Sequence, residues 1–331
     1  MHVRRETLWL VGSTVLLGTL CAGCMPDSFI ITPINHEKAL VQQELSRDAL
    51  LAWNKVAVIE VDGVILNANP GGLLSKGENP VSYLLEQLDA ARRDPRVKAV
   101  VLRVNSPGGS VTASELMYNE ILRFRRSGKP VVVMMLDVAA SGAYYISCGA
   151  DEIVAAHSTV TGSIGVIMQT FDATGTMAKI GLRADAIKSG PQKGGGSPFE
   201  TMTPDQRAVF QNMVMEMYGQ FVDVVAQGRD LPRDRVLELA DGRIYTATQA
   251  IENGLIDRIG TMNDAIAEAK RRADIDSAIV VTYMRPYGFA PNYYAHATQP
   301  PAAAQINMLN VNLGDRWSAG AAPFMYLWEH P

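Results

Sequence analysis

The sequence predicts an α/β fold built from parallel β-α-β units with a helical extension, and three observations carry that reading. Residues 55–65 (KVAVIEVDGVI), 98–104 (KAVVLRV) and 131–136 (VVVMML) are apolar runs rich in β-branched side chains, the pattern of strands covered on both faces. Between them lie segments of helical spacing: Val81, Leu84, Leu85 and Leu88 share one face of residues 80–94, and a second helix is expected over 113–126. Strand–helix–strand alternation implies parallel pairing and right-handed crossovers, which gather ligand sites at the C-terminal ends of the strands.

In chain order, the first 24 residues read as a targeting segment. Arg4 and Arg5 form a basic start, residues 7–20 an apolar stretch, and Ala22-Gly23 stand before Cys24. Small residues immediately before a cysteine resemble a bacterial lipobox, with Cys21 where leucine is usual. That resemblance implies that Cys24 is the lipidated N-terminus of an exported chain, anchored to a membrane on its extracytoplasmic side. An uncleaved anchor is the alternative, although the apolar run is short against the ~20 residues that a spanning helix needs. Residues 25–54 are expected to be a tether in which 37–50 form a weak helix, with the core domain over 55–275 and a C-terminal extension over 276–331.

The strand at 98–104 runs into Asn105-Ser106-Pro107-Gly108-Gly109-Ser110. Paired glycines after a strand can turn their N–H groups outward, as an oxyanion hole requires, though a plain Pro-Gly turn has the same letters. The strand at 131–136 leads into Ala139-Ala140-Ser141-Gly142-Ala143, whose small side chains let a second backbone or a substrate come close. Ser141 stands at the start of a helix, where unpaired N–H groups favour developing negative charge. A serine there can also be an ordinary helix cap. The two segments together, strand-NSPGGS and then strand-AASG, resemble the Clp-protease/crotonase superfamily. The resemblance implies a Clp-protease/crotonase-like fold in which the backbone N–H groups of Gly109 and Gly142 hold an oxyanion.

A Ser-His-Asp triad needs a histidine within reach. Of five histidines, His2, His36, His296 and His330 lie in the targeting segment, just after it, or in the tail. His157 follows an expected strand at 152–156 and reads as a structural or surface residue, and Val166 stands near where Clp proteases place their histidine. A lysine base remains, which must be neutral to act. The candidates are Lys179, Lys188 and Lys193, the last two in AIKSGPQKGGGSPF; taken alone, Lys193 is an ordinary solvated loop lysine. This segment, with TGSIGV at 161–166, resembles the signal peptide peptidase A (SppA) family of serine proteases in its short, single-repeat form. The resemblance runs from about Lys55 to Gly260 and includes GRIYT at 242–246 and AIENGLID at 250–257. It implies Ser141 as nucleophile, Lys193 as general base, Ser163 as the serine that orients the base, and Lys188 at a non-catalytic basic position. The three glycines after Lys193 depart from a fixed catalytic loop and are expected to need a neighbouring subunit or substrate to order them.

Thr203-Pro204-Asp205-Gln206 is a strong helix start, and Phe210, Met213, Val214, Met217, Phe221, Val224 and Val225 form an apolar stripe after it, expected to pack within the chain or between subunits. If Cys24 is lipidated, Cys148 is a lone thiol in the mature chain, read as a small buried hydrophobe. Residues 287–305 have no period and read as extended, while the aromatic terminus PFMYLWEHP is expected to dock.

Composition is that of an ordinary globular chain, with 47% hydrophobic and 19% charged residues and a net charge of −4 over 331 residues. No basic stripe interleaved with aromatics suggests nucleic acid as a partner. The resemblance implies a membrane-tethered endopeptidase acting on remnant signal peptides or other apolar peptides, assembled as a homo-oligomer, with neither cofactor nor metal. A crotonase-like acyl-CoA enzyme would use the same two oxyanion donors, but export removes it from its cytoplasmic substrate. A catalytically silent membrane-tethered scaffold of the same fold is the reading from a different class.

Overall fold

The computed structural model describes residues 40–68, 71–72, 75–76, 78–285 and 324–328. The targeting segment with Cys24 and the extended segment expected over 287–305 lie outside the described residues. The described main sheet has nine strands. Its path runs β1 (Val41–Arg47), β12 (Ile279–Met284), β2 (Lys55–Asp62), β5 (Val97–Ser106), β7 (Val131–Ala140), β8 (Glu152–Ala155) and β11 (Arg258–Ile259). Along this path every neighbour from β12 to β11 is parallel, and the edge strand β1 runs against its partner. Two-residue strands β3 (Gly71–Gly72) and β4 (Ser75–Lys76) pair with each other apart from it.

The alternation of side chains along a strand explains why these runs are apolar on both faces. Ala57, Ile59 and Val61 of β2 face the larger core, whereas Val56 and Val58 face the smaller one. The larger core is closed by α1 (Pro80–Arg93) and α2 (Val111–Arg125). The smaller one is closed by α8 (Met262–Arg272), whose Met262, Ala265, Ile266 and Ala269 pack on Val101, Val132 and Val154. Each helix starts at a polar cap: Asn79 accepts from the N–H groups of Val81 and Ser82, Ser110 from that of Ala113, and Thr261 from that of Asp264.

At β7 the sheet forks. Its first half, Val132–Met135, pairs with β8, and its last residues, Val138–Ala140, pair with β9 (Val160–Gly162), which is itself antiparallel to β10 (Ile244–Thr246). Side chains satisfy the backbone groups that the fork releases. The Thr159 hydroxyl donates to the carbonyls of Met135 and Leu136, and Asn105 Oδ1 accepts from the Val138 N–H at 3.1 Å. The fork frees the end of β7, where α3 (Gly142–Ser147) begins. Three further helices complete the described chain: α5 (Pro204–Arg229), α6 (Arg233–Leu239) and α7 (Ala247–Glu252), after a short α4 (Thr174–Lys179).

Two expectations need correction. Residues 41–47 are a strand, not part of a weak helix; pairing with β12 overrides a composition neutral between the two, and Lys55 holds the strand through Gln42 and Asp94. The boundary at 275 also falls too early, because β12 lies inside the sheet, between the edge strand β1 and β2. By contrast, Thr203 and Gln206 form the expected capping box at the start of α5. The aromatic terminus docks as well: β13 (Met325–Leu327) pairs antiparallel with β6 (Gly108–Ser110).

Candidate active site

Ser141 closes β7 with φ 55° and ψ −117°, a positive φ that non-glycine residues rarely adopt. Two backbone hydrogen bonds hold it there: its N–H donates to the Gly162 carbonyl at 2.7 Å, and its carbonyl accepts from the Tyr145 N–H at 2.8 Å. The side chain makes no capping hydrogen bond to α3, so the helix-cap alternative does not describe this serine. With six residues α3 is short, so an anion beside Ser141 would depend on individual N–H groups more than on a helix dipole.

Those groups come from the two glycine segments. Ile65 clamps β6 from one side, its N–H donating to Gly108 and its carbonyl accepting from Ser110, both at 2.8 Å. The approach is so close that a Cβ on Gly109 would sit 1.9 Å from the Ile65 oxygen; only glycine fits. Across the cleft, a Cβ on Gly142 would lie 3.1 Å from the Gly109 nitrogen, and one on Gly108 would lie 2.6 Å from the Gly142 nitrogen. The backbones of Gly109 and Gly142 therefore lie close together beside Ser141. Ser163 has φ 50° and follows Gly162, the acceptor for Ser141; its N–H donates to the Arg243 carbonyl at 2.8 Å. This explains the GRIYT segment: β10 brings the Tyr245 ring against Gly162, and Arg243, just before the strand, offers its carbonyl to Ser163.

The profile of peptidase family S49 matches residues 123–276, a span that holds Ser141, Ser163 and Lys193. An Enterococcus faecium protein that carries the name signal peptide peptidase SppA is 38% identical over 240 residues, 72% of this chain and 70% of that protein. The chain belongs to the S49 family of peptidases. A protease-named protein of Methanocaldococcus jannaschii is 37% identical over 236 residues, 71% of this chain and 76% of its own length. The chloroplastic serine protease SPPA of Arabidopsis thaliana is 36% identical over 224 residues, 67% of this chain and 33% of that protein. The chain is thus a serine peptidase of the SppA type, and its parallel sheet fits the Clp-protease-like fold of S49.

Not every residue expected of an S49 site is gathered here. Lys193 lies on a 3-10 turn (Pro191–Gly194) with its side chain exposed, and no hydrogen bond or ion pair joins it to Ser141 or Ser163. From 165 to 205 not one described residue is buried. Lys188 pairs with Glu200 instead, and Phe210 rests against Gly195 and Gly196. His157 is exposed. Cys148 is buried, and burial pushes its thiol up to about 12, so it is protonated and unreactive near neutral pH. Sequence reasoning missed Ile65, the clamp on Gly109. Its signal was an apolar residue placed just past Gly63, the positive-φ turn that ends β2.

Proposed function

We propose that this peptidase is a membrane-tethered serine endopeptidase working through a Ser141–Lys193 dyad on remnant signal peptides or other apolar peptides. Neutral Lys193, oriented by Ser163, takes the Ser141 proton as Oγ attacks the scissile carbonyl carbon. The N–H groups of Gly109 and Gly142 hold the oxyanion, the C–N bond breaks, and Lys193 returns the proton to the leaving amine. Water then hydrolyses the acyl-enzyme and restores the serine. The observation that carries this reading is Ser141, held at positive φ with the backbones of Gly109 and Gly142 close beside it.

The exposed position of Lys193 favours a base that is brought to Ser141 by ordering of residues 165–205 against a second copy of the chain. Val209 and Met213, in the first half of α5, are 45% and 38% exposed and offer apolar surface for such an assembly. The tether is assigned to lipidation of Cys24.

A fluorophosphonate probe tests the nucleophile, with modification expected at Ser141 alone. Ser141→Ala and Lys193→Ala should each abolish peptide cleavage, with Lys188→Ala close to wild type. Mixing the two dead variants should regain part of the activity if serine and lysine come from different copies. A folded protein that the probe leaves unlabelled would instead be the silent scaffold.

A further inference from the structure

Three serines spaced four residues apart, Ser106, Ser110 and Ser114, bracket the glycine segment of the site, and all three are buried. The first two act locally. Ser106 Oγ accepts from the Gly108 N–H at 3.1 Å, and Ser110 Oγ caps α2 by accepting from the Ala113 N–H at 3.1 Å. Ser114 stands in the first turn of α2 with no exposed surface, and its hydroxyl donates back to the Ser110 carbonyl at 3.0 Å. Ser110 directly follows Gly109 in the chain, so this bond adds to the hold that the Ile65 carbonyl has on the Ser110 N–H.

The same hydroxyl reaches the other half of the site. A Cβ on Gly142 would lie 2.4 Å from Ser114 Oγ, its nearest contact beyond the flanking residues. Adding a carbon–carbon bond of ~1.5 Å, the hydroxyl oxygen is within about 4 Å of the Gly142 Cα. The Gly109 nitrogen is 3.1 Å from that same Cβ position. One side chain therefore bonds to the residue next to Gly109 and packs on Gly142. A serine that bonds back to the carbonyl four residues earlier is common in helices and needs no further role. Here, however, alanine would suit both helix propensity and complete burial, and the serine goes against both preferences.

We propose that Ser114 is a positioning residue of this peptidase: its hydroxyl, anchored on Ser110, sets the spacing between the backbones of Gly109 and Gly142 and so the fit of the oxyanion to them. This rests on Ser141 as the nucleophile and on Gly109 and Gly142 as the oxyanion donors. Ser114 touches no substrate and moves no proton; it acts through the two glycines. Oxyanion donors work at hydrogen-bond distance from the charge that develops, and a misplacement of ~1 Å can cost about 10²-fold in rate. A smaller side chain at 114 lets the two segments relax toward each other, and a bulkier one drives them apart. Either change moves the donors off the oxygen.

Two substrates that differ in a single atom test the spacing. Acetyl-alanyl-leucine methyl ester and its thionoester carry oxygen or sulfur on the scissile carbon. Sulfur is larger and a poorer hydrogen-bond acceptor, so well-placed donors favour the ester. In full-length Ser114→Ala, kcat for the ester should fall ~10-fold with KM within about 2-fold of wild type, and the ester-to-thionoester ratio of kcat/KM should fall at least ~5-fold. Ser114→Cys, whose side chain is longer, bulkier and a weak donor, should lower the ratio in the same direction; it decides the matter if the alanine variant does not fold. A serine that served folding alone would change the amount of active enzyme, which scales both substrates equally and leaves the ratio where it was. An unchanged ratio in a folded variant therefore overturns the inference. A wild-type enzyme that does not prefer the ester, or whose Ser141 a fluorophosphonate fails to label, overturns the underlying oxyanion and nucleophile assignments instead, and the inference falls with them.

Discussion

Two residues of the candidate site, Ser141 and Ser163, share an unusual backbone state. Both have positive φ without being glycine; the only other described examples are Asp230 and Asp274. Such a residue costs about 1–3 kcal/mol, and it persists where surrounding contacts over-determine it. For Ser141 those contacts are the Gly162 carbonyl and the first turn of α3. Ser141→Gly should relieve the strain that Ser141→Ala keeps. Set against the ~0.5–1 kcal/mol of extra backbone entropy that glycine loses on folding, the glycine variant should be more stable than the alanine one by about 1 kcal/mol. Urea unfolding of the two variants measures this, and an alanine variant equal to or above the glycine one would show that the turn is unstrained. Ser141, Gly109 and Gly142 were legible because small residues after a strand stand out in a sequence, whereas Ser163 was marked by the family resemblance alone. The contacts that hold Gly109 and Ser163 in place were not legible, since Ile65 and Arg243 are far away in the chain.

Among the elements, α5 shows how one position can reverse a local preference. Gly228 lies inside the helix, where alanine would be favoured by about 0.8–1 kcal/mol on propensity alone. A Cβ there would meet the Cys148 carbonyl oxygen at 2.4 Å and the Cys148 Cβ at 2.8 Å. Backbone has little room to yield, and overpacking of this kind costs about 1–3 kcal/mol, so the clash outweighs the gain. Gly228→Ala should lower the unfolding free energy and loosen α5 from α3, with a lower Tm by calorimetry; a raised Tm would mean that the two elements are not in contact. The same contrast between local and distant terms separates the elements that the sequence revealed from those it hid. The strands β2, β5 and β7 are apolar on both faces and announce themselves. The edge strand β1, VQQELSR, carries one β-branched residue, and its conformation is decided by β12, more than 230 residues later.

For the whole molecule, the Clp-protease-like architecture was readable from strand-NSPGGS and strand-AASG because parallel strands bring their C-terminal ends together whatever lies between. The docking of the aromatic terminus was readable too, since Tyr326 and its neighbours are too apolar to stay in water. Its destination in the groove beside Gly109 depended on tertiary geometry alone. The same holds for Lys193: a motif marks it, but no hydrophobic pattern in residues 165–205 ties it to the core.

That last contrast between a packed serine and an unpacked lysine has a thermal consequence. Ser141 is fixed by the most deeply buried strands of the sheet, whereas the proposed base rides on forty-one consecutive residues of which none is buried. Segments with so little apolar burial open at a fraction of the free energy of global unfolding. Catalysis should therefore fade on heating well before the sheet melts, and return in full on cooling from that interval. Initial rates and far-ultraviolet circular dichroism, followed over one temperature ramp, should give two separate midpoints, with activity lost first. Coincident curves would mean that the base is as firmly seated as the nucleophile it serves.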